Sequence, residues 1–239
     1  MTHVQSTKFT DAEIAKSRWK DLYRLAGIAA IVSEIIIFLG IATYFIWPYS
    51  PGSKTTEDIL LFLQENPLGG LISLDLFLFL GNLFSILLFL ALFVSLKTIN
   101  ESYALVALTV GLIGVGLLVP SRPLFELYAL SKLYIASADG ALKDQYLAAG
   151  ETLLLLFDGT GWFMNTLLGA ISLLISSILM LRSNLYSRIT AYVGIVTNLA
   201  ICGFFIPGIG VLLLFLSLPG YMIWYFLLAK KFFQMSRSA

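Results

Sequence analysis

Long apolar stretches separated by short polar connections set the pattern of this chain. The first runs from Leu25 to Trp47, 23 residues, or about 35 Å of helix, enough to cross a hydrocarbon core of about 30 Å with some tilt. It exceeds a signal-peptide core, and no small-residue cleavage site follows, so it reads as a retained span. After Pro48 and Pro51 the segment Lys54 to Asn66 carries a capping threonine, Thr55, with Asp58 in the first turn, the signature of a short surface helix.

A second span is expected over Gly70 to Leu96. The third runs from near Tyr103 to Pro120, where Ser121 and Arg122 precede another proline. The amphipathic segment Leu124 to Ala136 either extends the third helix beyond a kink or lies in the interface. A polar connection with Asp139, Lys143 and Asp144 leads to a fourth span, Thr152 to Leu181, whose 30 residues exceed the core thickness, so its first turns are expected to protrude. From Ile189 to Ala229 there is no Lys, Arg, Asp or Glu. These residues would make about 60 Å of helix, twice one crossing. Pro207 and Gly208 split them into spans 189–206 and 209–229. The expected fold is therefore an all-α, polytopic membrane bundle of about six transmembrane helices over 25–229, between a polar tail, 1–24, and a basic tail, 230–239.

Composition strengthens this reading. Apolar residues make up 59% of the chain and charged residues 12%, and the mean hydropathy is +0.90, far from the balance of a soluble domain. Eleven of the fifteen Lys and Arg residues fall at the tails and at Lys97, Arg182 and Arg188. The other four, Lys54, Arg122, Lys132 and Lys143, fall on the opposite side. The positive-inside rule then puts both termini in the cytoplasm, with the protein in the plasma or inner membrane. A near-zero net charge gives no field for nucleic acid.

Thr10 and Glu13 have capping-box spacing for a short surface helix, the alternative being a disordered tail. His3 is the only histidine and sits in that tail; Cys202 is the only cysteine, a small packing residue. No GxSxG, HExxH, CxxC or Walker-type loop occurs, so the sequence names no cofactor, metal or catalytic group.

What remains are polar residues inside spans, each costing roughly 2.5–3.5 kcal/mol if charged and facing lipid at mid-depth. Glu34 lies near the middle of the first span. Asp75 and Asn82, and likewise Asp158 and Asn165, are seven apart on one helix face. The fourth span continues that face with Gly161, Gly169, Ser172 and Ser176, while Ala104, Ala107, Gly111 and Gly114 form a small-residue stripe on the third. These residues suggest an outward-opening polar cavity with Asp75, Asp158 and Arg122 at its mouth, Asn82 and Asn165 on its walls and Glu34 at its floor. It would bind or move a small solute or cation. The alternatives are an accessory or structural subunit whose polar groups lock helices or dock a membrane partner or second copy, and a membrane enzyme, which would need the carboxylates to converge within about 5–9 Å.

The run Tyr23-Arg24-Leu25-Ala26-Gly27, Asp75, and Leu181-Arg182-Ser183 with Arg188 together resemble an uncharacterised family of prokaryotic multi-pass membrane proteins, a domain of unknown function. Members often carry a proline before the second arginine and a glycine three residues after it, where this chain has Ser187 and Ala191. The resemblance implies a multi-helix membrane fold and no substrate.

Overall fold

The computed structural model describes residues 19–238; Thr10, Glu13 and His3 lie outside them. Ten α-helices follow in order: α1 Lys20–Tyr44, α2 Thr56–Glu65, α3 Pro67–Ser73, α4 Leu76–Leu96, α5 Glu101–Leu118, α6 Leu124–Ala136, α7 Gly140–Leu154, α8 Thr160–Leu181, α9 Arg188–Cys202 and α10 Gly210–Arg237. Short 3₁₀ turns at Val119–Ser121 and Gly203–Phe205 follow α5 and α9. Among the described residues six segments are long and apolar enough to cross a membrane: α1, α4, Glu101–Ala136 with α5 and α6, α8, Arg188–Phe205 with α9, and α10; within the third, α5 is the part that joins the other five helices.

Helix starts follow local chemistry. Thr55 accepts from the Asp58 amide at 3.1 Å, as its spacing predicts. Asn66 caps α3, with Pro67 in its first turn, Asn100 caps α5 and Ser187 caps α9. Each side-chain oxygen satisfies one of the amides that a helix start leaves without a partner.

Two of the expected spans contain a break, the second of them in the first turns expected to protrude. The stretch from Gly70 to Leu96 breaks at Leu74–Asp75, where Asp75 adopts φ 70°, a left-handed conformation rare outside glycine and asparagine or aspartate. The 30 residues from Thr152 to Leu181 break at Leu155–Gly159, so only α8 crosses. Hydropathy does not register either break, because apolar residues continue on both sides while their burial changes from ring to cap. The segment 124–136 is resolved as a separate helix: the chain turns at Val119–Pro123, and α6 packs on α2 and α7 rather than continuing α5.

The six crossing helices form a closed ring. Each packs on its neighbours in chain order, α1 on α4, α4 on α5, α5 on α8, α8 on α9 and α9 on α10, and α10 returns to α1. At the end of the ring carrying Lys97, Arg182 and Lys230 the centre is solid. Ala26, Ala29 and Ala30 of α1 meet Leu88, Leu92 and Leu96 of α4 and Trp224, Leu228 and Phe232 of α10 there, all essentially buried. Small residues on α1 permit that close approach.

The opposite end is covered by a cap of α2, α3, α6 and α7 with its own core, in which Ile59, Leu60 and Leu63 pack against Leu124, Leu127 and Phe157. Polar contacts lock it. Gln64 donates to Ser131 Oγ at 2.7 Å, and the Tyr134 hydroxyl donates to Glu57 at 2.6 Å.

Candidate functional site

Between the solid end of the ring and the cap lies a cavity of about 630 Å³, within the range of about 300–1,000 Å³ typical of small-molecule sites. Every helix of the ring contributes to it. On α1 the lining residues are Ser33, Ile36, Ile37, Gly40, Ile41 and Tyr44, a single stripe at three- and four-residue spacing, as one helix face requires. Most of the wall is apolar. Its polar groups come at two depths. Asn82 and Asn165 stand near the cap, where the Asn165 amide donates to Asn82 Oδ1 at 3.1 Å and Asn82 donates weakly to the Val115 carbonyl at 3.4 Å. Ser33, Asn198, Tyr221 and Tyr225 stand deeper, close to mid-span on α1, α9 and α10.

Two of the deeper groups are unsatisfied among the described residues. Asn198 is fully buried and its Nδ2 donates to the Gly194 carbonyl at 2.7 Å, which leaves Oδ1 without a donor. Ser33 is 4% exposed, and its hydroxyl oxygen has no partner. An orphaned buried polar group costs about 1–3 kcal/mol, so such atoms call for an explanation.

The six residues that the sequence grouped as one polar cavity separate into three places. Asn82 and Asn165 line the cavity. Asp75 and Arg122 form a buried ion pair above it, Arg122 Nε donating to Asp75 Oδ2 at 3.1 Å; Asp158 lies beside this pair, exposed in the turn between α7 and α8. Glu34 is on α1 but off the lining, within electrostatic reach of Tyr221 and Tyr225 of α10, with Oε1 buried and without a partner among the described residues. The expected polar mouth and floor are therefore absent from this wall: Asp75 and Arg122 pair with each other, Asp158 is exposed beside them, and Glu34 lies off the lining.

The ion pair does more than neutralise two charges. Arg122 Nη1 also donates to the carbonyls of Ser121 at 3.1 Å and Phe157 at 2.9 Å, and its guanidinium lies 5.0 Å from the Phe157 ring centre and 4.9 Å from that of Trp162. The Tyr44 hydroxyl donates to the other Asp75 oxygen. The chain passes between cap and ring four times. This cluster gathers all four passages: the end of α1 through Tyr44, the α3–α4 break through Asp75, the α5–α6 turn through Arg122 and the α7–α8 turn through Phe157. Tyr44 and Trp162 also line the cavity, so the cluster forms its ceiling. Nearby, burial and then the Asp75 charge hold the Tyr49 phenol above its ordinary range, so it remains a neutral hydroxyl.

The ceiling partners Tyr44 and Trp162 and the deep groups Ser33, Asn198, Tyr221 and Tyr225 were not singled out from the sequence. One signal was available, the stripe from Ser33 to Tyr44, which interrupts an apolar span with small and polar residues on one face. Among the described residues no group of three or more Asp, Glu, His or Cys is arranged to hold a metal ion. Comparisons with family models, curated proteins and solved structures return no match, so the reading of this site rests on its geometry.

Proposed function

We propose that this multi-pass membrane protein binds a small, predominantly apolar solute inside its six-helix ring, with both termini on the cytoplasmic side of the cell membrane. The observation that carries the reading is the cavity of about 630 Å³ at the cap-side half of the ring, walled by apolar side chains and holding a few inward polar groups. That combination suits an uncharged or amphiphilic molecule, since a free ion in such a wall would be desolvated without compensation. Asn82 and Asn165 supply an amide pair near the cap, and the Asp75–Arg122 cluster excludes water from above. The cytoplasmic placement rests on the basic residues collected at the solid end of the ring.

The accessory-subunit reading would gain from a stripe of small residues facing lipid. Instead Gly111 of α5 packs against Phe89 and Ser172, and Ser172 donates to the Ala107 carbonyl at 2.6 Å, so that stripe is consumed inside the molecule.

The test is ligand-dependent thermal stabilisation of the purified protein in nanodiscs. Uncharged amphiphiles are compared with small hydrophilic solutes and alkali cations, for wild type and for Leu218→Trp, which puts a bulkier ring into the cavity. A ligand at 100 times its Kd adds about 2.7 kcal/mol, and the amphiphiles are expected to stabilise wild type more than the narrowed variant. Stabilisation by cations or hydrophilic solutes alone would overturn the apolar reading.

A further inference from the structure

We infer that the cavity opens sideways into the cap-side leaflet between α1 and α10, and that its occupant is an uncharged, chain-bearing amphiphile of the bilayer. This rests on the ligand-binding reading above and adds the class of ligand and its route.

The geometry of the α1–α10 seam carries the route. At the solid end the two helices are in contact: a Cβ on Gly27 would meet the Phe233 ring at 2.9 Å, and the Tyr23 and Phe232 rings are stacked with centres 6.2 Å apart. Toward the cap the seam changes character. Ile41 of α1, Phe45 directly after it and Phe215 of α10 all line the cavity, yet they are 44%, 87% and 64% exposed. Side chains that bound the cavity and also face outward mark where its wall is incomplete. The surface around them is apolar, with Leu212 and Leu216 on α10 exposed too, so what meets this opening is hydrocarbon and not water.

Helix α10 is built to allow the splay. Pro219 lies inside it, and a proline there removes the hydrogen bond to the carbonyl four residues earlier, that of Phe215, and bends the helix. The helix runs unbroken from Gly210 to Arg237, with one backbone hydrogen bond fewer between its cap-side half and the half packed on α1.

The chemistry of the occupant follows from the wall. An apolar tube accepts a hydrocarbon chain. Ser33 Oγ and Asn198 Oδ1, buried and unpartnered at mid-depth, offer a donor and an acceptor to a neutral polar group such as a hydroxyl. Among the lining residues no Lys, Arg, Asp or Glu faces the cavity, so a charged headgroup would find no counter-ion. Above, the Arg122 ceiling closes the route from the aqueous side.

The experiment uses the full-length protein in phosphatidylcholine nanodiscs containing a long-chain fatty alcohol with a diazirine in its tail, and maps the photolabelled residues by peptide mass spectrometry. Labels are expected on cavity residues such as Ile37, Gly40 and Leu218. Adding tryptophans at the portal, Ile41→Trp with Phe215→Trp, should slow cavity labelling severalfold, whereas Val106→Trp, at an exposed α5 position off the lining and away from the α1–α10 seam, should leave it unchanged. Both portal positions are exposed, so the packed core is untouched. Ser33→Ala should weaken occupancy roughly fivefold, the value of about one hydrogen bond. Cavity labelling that the portal tryptophans do not slow would overturn the lateral route while leaving the binding reading standing. Absence of cavity labels in wild type, with labels only on outward faces such as Ile113 and Ile189, would overturn the lipid occupant; stabilisation of the protein by a water-borne solute in the earlier assay would then still support a binding site of another class.

Discussion

Asp75 shows how much one residue can be asked to hold. Its backbone sits at φ 70°, its carboxylate accepts from Tyr44 and Arg122, and its side chain is 9% exposed against 2% for Arg122. Charges buried this deeply are tolerated only in partnership, because removing one member leaves the other stranded. Arg122→Ala is therefore expected to destabilise by about 3–5 kcal/mol, whereas Asp75→Asn combined with Arg122→Met, which removes both charges and keeps volume, recovers most of the loss. Denaturation midpoints in mild detergent measure both; equal damage from the single and double variants would show that the pair is not the reason. The backbone adds a separate constraint. Asp75→Val should cost about 1–3 kcal/mol more than Asp75→Asn, since a β-branched side chain is strained in the left-handed region that asparagine accepts.

Among helices, α5 and the start of α8 approach backbone to backbone. A Cβ on Gly161 would come within 2.7 Å of the Leu117 carbonyl oxygen, a backbone atom that cannot rotate away. Gly161→Ala should therefore lower stability by about 1–3 kcal/mol through overpacking, read as a drop in the thermal midpoint. Gly116→Ala, with nothing within 4 Å of the new methyl, is the matched substitution and should be neutral or slightly stabilising, as alanine favours helix over glycine by about 1 kcal/mol. Much at this scale was legible in the chain. The caps at Thr55 and the small-residue stripes follow from spacing alone. The breaks at Asp75 and Leu155–Gly159 were not, because a helix that leaves the ring for an apolar cap keeps its hydropathy while changing its neighbours.

At the scale of the molecule, the ring and its cap make a vessel that is solid at the basic end and hollow at the other. An even number of crossings brings both described ends to the same face, the one that gathers Lys97, Arg182, Arg188, Lys230 and Lys231. In a Cys202→Ser background, Asp144→Cys in the cap should react with an impermeant maleimide on intact cells, and Lys230→Cys only after permeabilisation. The reverse pattern would invert the proposed topology. Of the candidate site, the sequence put Asn82 and Asn165 on the walls of one cavity, and the structure joins them by a hydrogen bond. It did not anticipate that Arg122 would turn to Asp75, or that Glu34 would sit beside the cavity rather than beneath it.

Hydropathy is summed along the chain, and so is the count of basic residues in each connection. Those local sums were enough to specify a helical membrane protein, its six crossings and the side on which basic residues collect. Where the hollow lies, which charges pair and where the wall is open depend on lateral contacts between segments such as α1 and α10, far apart in sequence. Only packing brings Gly27 under Phe233 while leaving Phe45 and Phe215 uncovered, and no one-dimensional sum contains that information.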